Sequence, residues 1–219
     1  MVMLALRASQ RGYFEQRYLV WNLFLAGVPF PFAWMVDSLS RRRAHSGWLL
    51  LPAAVWLAFF PNAPYLVTDL IHLRPTSDVP LWFDGLVFFA FASTGLLAGF
   101  VSLYLVEAAV SRRFGRAVGW GTSMVAIAAS SYGIYLGRVE RWNSWDVVTN
   151  PKRFASAIGG DLIDPLSNRQ AIVISIGFAG FLTAVYGTLR VFAHMVSVDG
   201  QVQVEKPNGT SGLAPTSSD

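Results

Sequence analysis

Cysteine is absent from the 219 residues, and only three histidines are present. Disulfides, thiolate nucleophiles and Cys-ligated zinc are therefore excluded. Charge is also scarce, at 14% Asp, Glu, Lys and Arg, where a soluble domain needs about a quarter. Too little charge is available to cover a water-facing surface. Met1–Leu6 is too short for the apolar core of a signal peptide and is followed by Arg7 and Arg11, so the first span is expected to act as its own insertion signal.

Apolar length is abundant instead: 53% of residues are hydrophobic and mean hydropathy is +0.43. A helix needs about 20 largely apolar residues to cross the hydrocarbon layer. Tyr18–Val36, Leu81–Val106, Ala117–Leu136 and Ala171–Phe192 meet that length, and Gly47 to Val67 supplies a fifth candidate. This fifth stretch contains Pro61 and Pro64, which remove backbone donors and predict a kink or an end near Phe60. The fold expected is an all-α, polytopic transmembrane bundle of about five spans with a kinked second span. It has three parts: an N-terminal tail (1–17), the transmembrane helices (18–196) and a disordered polar tail (197–219).

Gly95 and Gly99, and Gly133 and Gly137, lie at the GxxxG spacing that lets helix backbones approach closely. The small residues of the fourth span (Gly119, Gly121, Ser123, Ala126) predict a central, protein-surrounded helix. Trp21, Trp34, Trp48, Trp82 and Trp120 fall near span ends, where an indole suits the headgroup region.

The net charge of +4 and pI near 9.7 do not indicate nucleic acid. The basic residues lie in short clusters between apolar runs, as in the cytoplasmic loops of membrane proteins. Membrane lipids are the partners implied. Arg41, Arg42 and Arg43 in one loop and Arg112, Arg113 and Arg116 in another predict a cytoplasmic location for both, with the N-terminus outside and the C-terminus inside. Arg7, Arg11 and Arg17 pull the other way.

With five spans, the loops after the second and fourth lie on one side, and these hold the unusual polar residues. One supplies Asn62, Tyr65, Asp69 and His72, with Asp84 opening the next span. The other supplies Arg138, Arg141, Trp142, Asn143, Trp145 and Asp146. No span carries a charge near its middle, which argues against an ion-coupled transporter. The segments FPNAPYLVTDLIHLRP (Phe60–Pro75) and GIYLGRVERWNSWD (Gly133–Asp146) resemble the hallmark segments of domain-of-unknown-function family 1361. The similarity runs from about Trp21 to Val191. It implies a multi-spanning bacterial or archaeal membrane protein and brings no activity or cofactor with it.

Two readings of the polar residues stand side by side. Asp69 and His72, one helical turn apart, could join Asp146 as acid–base groups or as ligands of a zinc- or iron-type metal. Arg138 and Arg141, flanked by Trp142 and Trp145, could hold a lipid phosphate. Alternatively, they could pair with Asp69, Asp84 or Asp146 and pin the loops together. Asn143 can cap a short helix with Asp146. Asn22 is expected to bond across helices, and Glu107 to reach water. The balance favours a lipid- or partner-binding or structural role over an interfacial enzyme acting on a lipid or lipid-linked substrate. A small transporter comes last.

Overall fold

The computed structural model describes residues 17–73, 80–142, 149–163 and 168–204, and the described residues are helical apart from short connections. The chain resolves into a large unit ending at Leu182 and a small one from Thr183 onward. In the large unit, α1 (Arg17–Gly27) and α2 (Pro29–Arg41) are separated only at Val28. Then follow α3 (Gly47–Phe59), α4 (Asn62–Thr68) and a 3-10 turn (Asp69–His72). α5 (Leu81–Phe114), α6 (Arg116–Arg138), α7 (Pro151–Ile163) and α8 (Arg169–Val204) complete the order. The small unit carries the second half of α8, which runs past Ser197 to Val204; residues 205–219 lie outside the described set.

Among the described residues, four stretches are long and apolar enough to cross a membrane: Tyr18–Arg41, Gly47–His72, Leu81–Phe114 and Arg169–Met195. α6 has the length for it but a lower hydropathy, because Gly119, Ser123, Ser130 and Ser131 stand where larger apolar residues would raise it. The distribution of polarity fits a lipid solvent. Leu50, Leu51, Phe89 and Val125 are exposed, while Asp69, Asp84, Glu107 and Ser123 are buried. In water such an apolar surface would drive aggregation; in hydrocarbon it is the stable arrangement.

α5 is the packing centre of the large unit, contacting α1, α2, α4 and α6. The glycine spacing on α5 admits α4. A Cβ on Gly99 would sit 2.6 Å from the Cβ of Ala63, and one on Gly95 would overlap Leu66. α6 presses on the same segment from its own GxxxG pair. A Cβ on Gly133 would lie 3.2 Å from Pro61, and one on Gly137 would lie 3.0 Å from the Tyr65 ring. The segment Pro61–Leu66 is thus gripped by glycines of two helices.

Two expectations need correction. α6 is not enclosed by protein all round: Gly119, Ser123 and Ala126 are buried, but Val118, Trp120 and Val125 face outward. Small residues therefore mark one packed face of this helix rather than a central position. Glu107 does not reach water. It is 2% exposed and accepts a hydrogen bond from the Ser123 hydroxyl at 2.7 Å, because α6 folds back over the end of α5.

Candidate functional site

The site forms where α3 gives way to α4. Pro61 and Pro64 leave backbone carbonyls without their helical donors, and local groups replace them. The side-chain amide of Asn62 donates to the Phe59 carbonyl at 2.9 Å, and the Ala63 N–H donates to Phe60 at 3.1 Å. The interruption lets α4 continue into the 3-10 turn. There Thr68 and Asp69 meet the C-terminal end of α6 across about 70 residues of sequence.

Arg138 is the centre of that meeting. Its Nη2 donates to Asp69 Oδ1 at 2.7 Å, and its Nε donates to Thr68 Oγ1 at 3.0 Å. A second, shorter contact joins Nη2 to the same hydroxyl. Thr68 accepts freely because its own proton goes to the Tyr65 carbonyl at 2.6 Å. The guanidinium carbon lies 4.5 Å from the centre of the Tyr65 ring, a cation–π geometry. The other carboxylate oxygen of Asp69 accepts from Asn22 Nδ2 at 3.0 Å, which brings in α1. Asp69 is 1% exposed, so a charge that would be costly to bury alone has a donor on each oxygen.

Beside this network lies a cavity of about 520 Å³, walled by Tyr18, Trp21, Tyr65 and Trp142, with Arg138 and Arg141 among its polar lining. His72 also lines it. Its Nδ1 is 3.3 Å from the Asp69 carbonyl, and its ring is 5.8 Å from that of Tyr18. Arg141 differs from Arg138. It is exposed, lies at φ 58° and has no ion-pair partner among the described residues. Arg141 lies in the turn that ends α6, where the Trp142 N–H reaches back to the Leu136 carbonyl at 3.1 Å. A non-glycine residue there costs about 1–2 kcal/mol.

The outer wall of the cavity is braced by α7 and α8. Arg153 lies over the Trp142 ring at 5.3 Å. The Tyr135 hydroxyl donates to Glu140 at 3.1 Å and accepts from Asn168 at 2.6 Å. Asn168 also caps α8 by accepting from the Ala171 N–H at 3.1 Å.

Of the residues singled out in the sequence, Asn62, Tyr65, Asp69, His72, Arg138, Arg141 and Trp142 line one cavity. Asp84 is buried in the first turn of α5 and does not line it. Asn143, Trp145 and Asp146 lie outside the described residues. Among the described residues, no three His, Asp or Glu side chains gather as metal ligands. Thr68, Tyr18 and the Tyr135–Asn168 bond escaped sequence reading. A threonine or tyrosine near a span end carries no pattern of its own. Asn22 was legible as a bonding group but not with its partner.

The family described as Protein of unknown function (DUF1361) matches residues 21–185, and the chain belongs to that family. No curated protein and no solved structure matches the chain.

Proposed function

We propose that this member of the DUF1361 family crosses the membrane five times and holds a lipid headgroup in the aromatic cavity beside Arg138, without catalysis. α6 supplies the fourth crossing and α8 the fifth, and α3–α4 form a second crossing kinked at Pro61. A length of 23 residues gives α6 about 34 Å, against about 30 Å of hydrocarbon. Its outward face carries Val118, Trp120 and Val125, and the small residues it buries lower its hydropathy. The clusters Arg41–Arg43 and Arg112–Arg116 lie on the cytoplasmic side, with the C-terminus inside and the cavity at the outer interface.

The observation that carries this reading is the division of labour between two arginines three residues apart. Arg138 is bound into a closed network with Thr68, Asp69 and Tyr65, which joins α4 to α6. Arg141 stands at the cavity with a positive φ and has no such partner among the described residues. Non-glycine residues in the left-handed region cluster at functional sites. An exposed guanidinium among Trp21, Trp142 and Tyr18 suits a phosphate held at the headgroup level. An acid–base role is less well supported, since both oxygens of Asp69 are engaged.

Arg141→Gly provides the test. Glycine tolerates φ 58°, so the variant should match or exceed the wild-type melting temperature in detergent, by up to about 1 kcal/mol. Retention of anionic phospholipid by the purified protein, counted by native mass spectrometry, should fall. Unchanged lipid retention in a folded Arg141→Gly protein would defeat the headgroup assignment.

A further inference from the structure

The opposite end of the large unit carries a second polar concavity, of about 790 Å³, lined by Ser40, Arg41, Arg43, Ser46, Arg112 and Arg113. Its parts are held in place from below. Buried Asp37 accepts from Arg41 Nε at 2.8 Å and also takes Arg112. Arg113 donates to the Ala44 carbonyl at 2.6 Å and to the Ser46 hydroxyl at 3.1 Å, tying the end of α5 to the loop between α2 and α3. Ser40 donates to the Ala109 carbonyl at 3.0 Å across the same joint. The loop itself is a Schellman turn: the Arg43 N–H reaches the Ser40 carbonyl and the Ala44 N–H the Leu39 carbonyl, both at 3.1 Å. Its left-handed position, normally glycine, holds Arg43 at φ 53°.

Charge in this region is unbalanced. Arg41, Arg42, Arg43, Arg112, Arg113 and Arg116 lie at the ends of α2, α5 and α6 and in the adjoining loop. Among the described residues Asp37 is the one carboxylate paired with any of them, serving Arg41 and Arg112. Arg42, Arg43 and Arg116 have no ion-pair partner among the described residues. The exposed rings of Phe114, Trp120 and Trp48 belong to the adjoining ends of α5, α6 and α3. They mark this level as the membrane interface. Orientation of a bare positive cluster toward the cytoplasm would need neither the concavity nor an arginine in a glycine conformation.

We infer that this basic concavity is a binding site for the phosphate headgroup of an anionic phospholipid, on the face opposite the aromatic cavity. Arg41 meets the phosphate from the end of α2 and Arg43 from the loop that follows. Arg112 and Arg113 close the side formed by α5, and Ser40 and Ser46 supply neutral polar groups. The inference stands independently of the site around Arg141.

The full-length protein, reconstituted in nanodiscs of phosphatidylcholine or of phosphatidylcholine with phosphatidylglycerol, tests it. The double variant Arg41→Gln/Arg43→Gly keeps the Asp37–Arg112 and Arg113 contacts and places glycine where the backbone favours it. It loses the Arg41–Asp37 pair, whose arginine is exposed and whose net worth is small, and gains about as much from glycine at position 43, so in phosphatidylcholine it should melt close to wild type. It should retain one phosphatidylglycerol fewer by native mass spectrometry, with an apparent affinity roughly thirtyfold weaker for the two lost charges. Arg141 is intact in this variant, so failure here and failure at the aromatic cavity are separate results. If the double variant proves unfolded, Arg43→Gly alone supplies the same comparison, with about a fivefold loss. Equal phosphatidylglycerol retention by wild type and a folded variant would overturn the inference. So would stabilisation of wild type by inorganic phosphate equal to that given by the lipid.

Discussion

At the scale of the residue, Arg138 and Asp69 decide whether α4 and α6 stay together. Removing one partner of a buried pair strands the other's charge, at about 3–5 kcal/mol. Arg138 has 21% of its side chain exposed, so Arg138→Gln should lose about 3 kcal/mol, the low end of that range. The Asp69→Asn protein should lose less, because an amide can still accept from Arg138 or Asn22 and leaves no stranded carboxylate. In a thermal or denaturant series in detergent, the double variant should be less damaged than the sum of the two. Additive losses would mean that the two side chains are not coupled. Much at this scale was legible. FPNAPYLVTD and YLGR displayed polar groups in an otherwise apolar chain, and polar residues near lipid need partners. Which arginine would pair was not legible. Arg138 and Arg141 are alike in the sequence, and the turn that separates them depends on where α6 ends.

At the scale of the element, the glycines of α5 and α6 set how closely α4 can approach. Side chains at Gly99 would collide with Ala63, so Gly99→Leu should force α4 away from α5 and lower the melting temperature strongly. Gly121→Leu, on α6 with nothing near its Cβ, should be tolerated and serves as the control. Similar losses from both would show that helix propensity, not close approach, is the reason for these glycines. The GxxxG spacings pointed to packed faces, but not to the fact that both pairs grip one short segment. That convergence falls where Pro61 and Pro64 separate α3 from α4. The proline pair was visible in the sequence; the glycines that would pack against it were not. Glu107 failed for a related reason: a carboxylate seven residues before the end of a helix looks solvated until Ser123 of the returning helix covers it.

At the scale of the molecule, apolar helices and a sparse, interrupted charge distribution made an all-α membrane protein legible from composition alone. α6 is the element on which the topology turns. It is the least apolar of the long helices, yet it returns the chain from Arg113, beside Ala44, to Arg138, beside Asp69. If it traverses the bilayer, the segments following α4 and α6 face the same compartment, and the loop of Arg41–Arg43 faces the other. Absence of native cysteine makes this directly measurable by impermeant maleimide labelling of single cysteines placed at Thr76, Ser156 and Ala44 in intact cells. Thr76 and Ser156 should label from one side, and Ala44 only after the membrane is opened. Labelling of Thr76 and Ser156 from opposite sides would contradict a crossing by α6 and separate the two halves of the site.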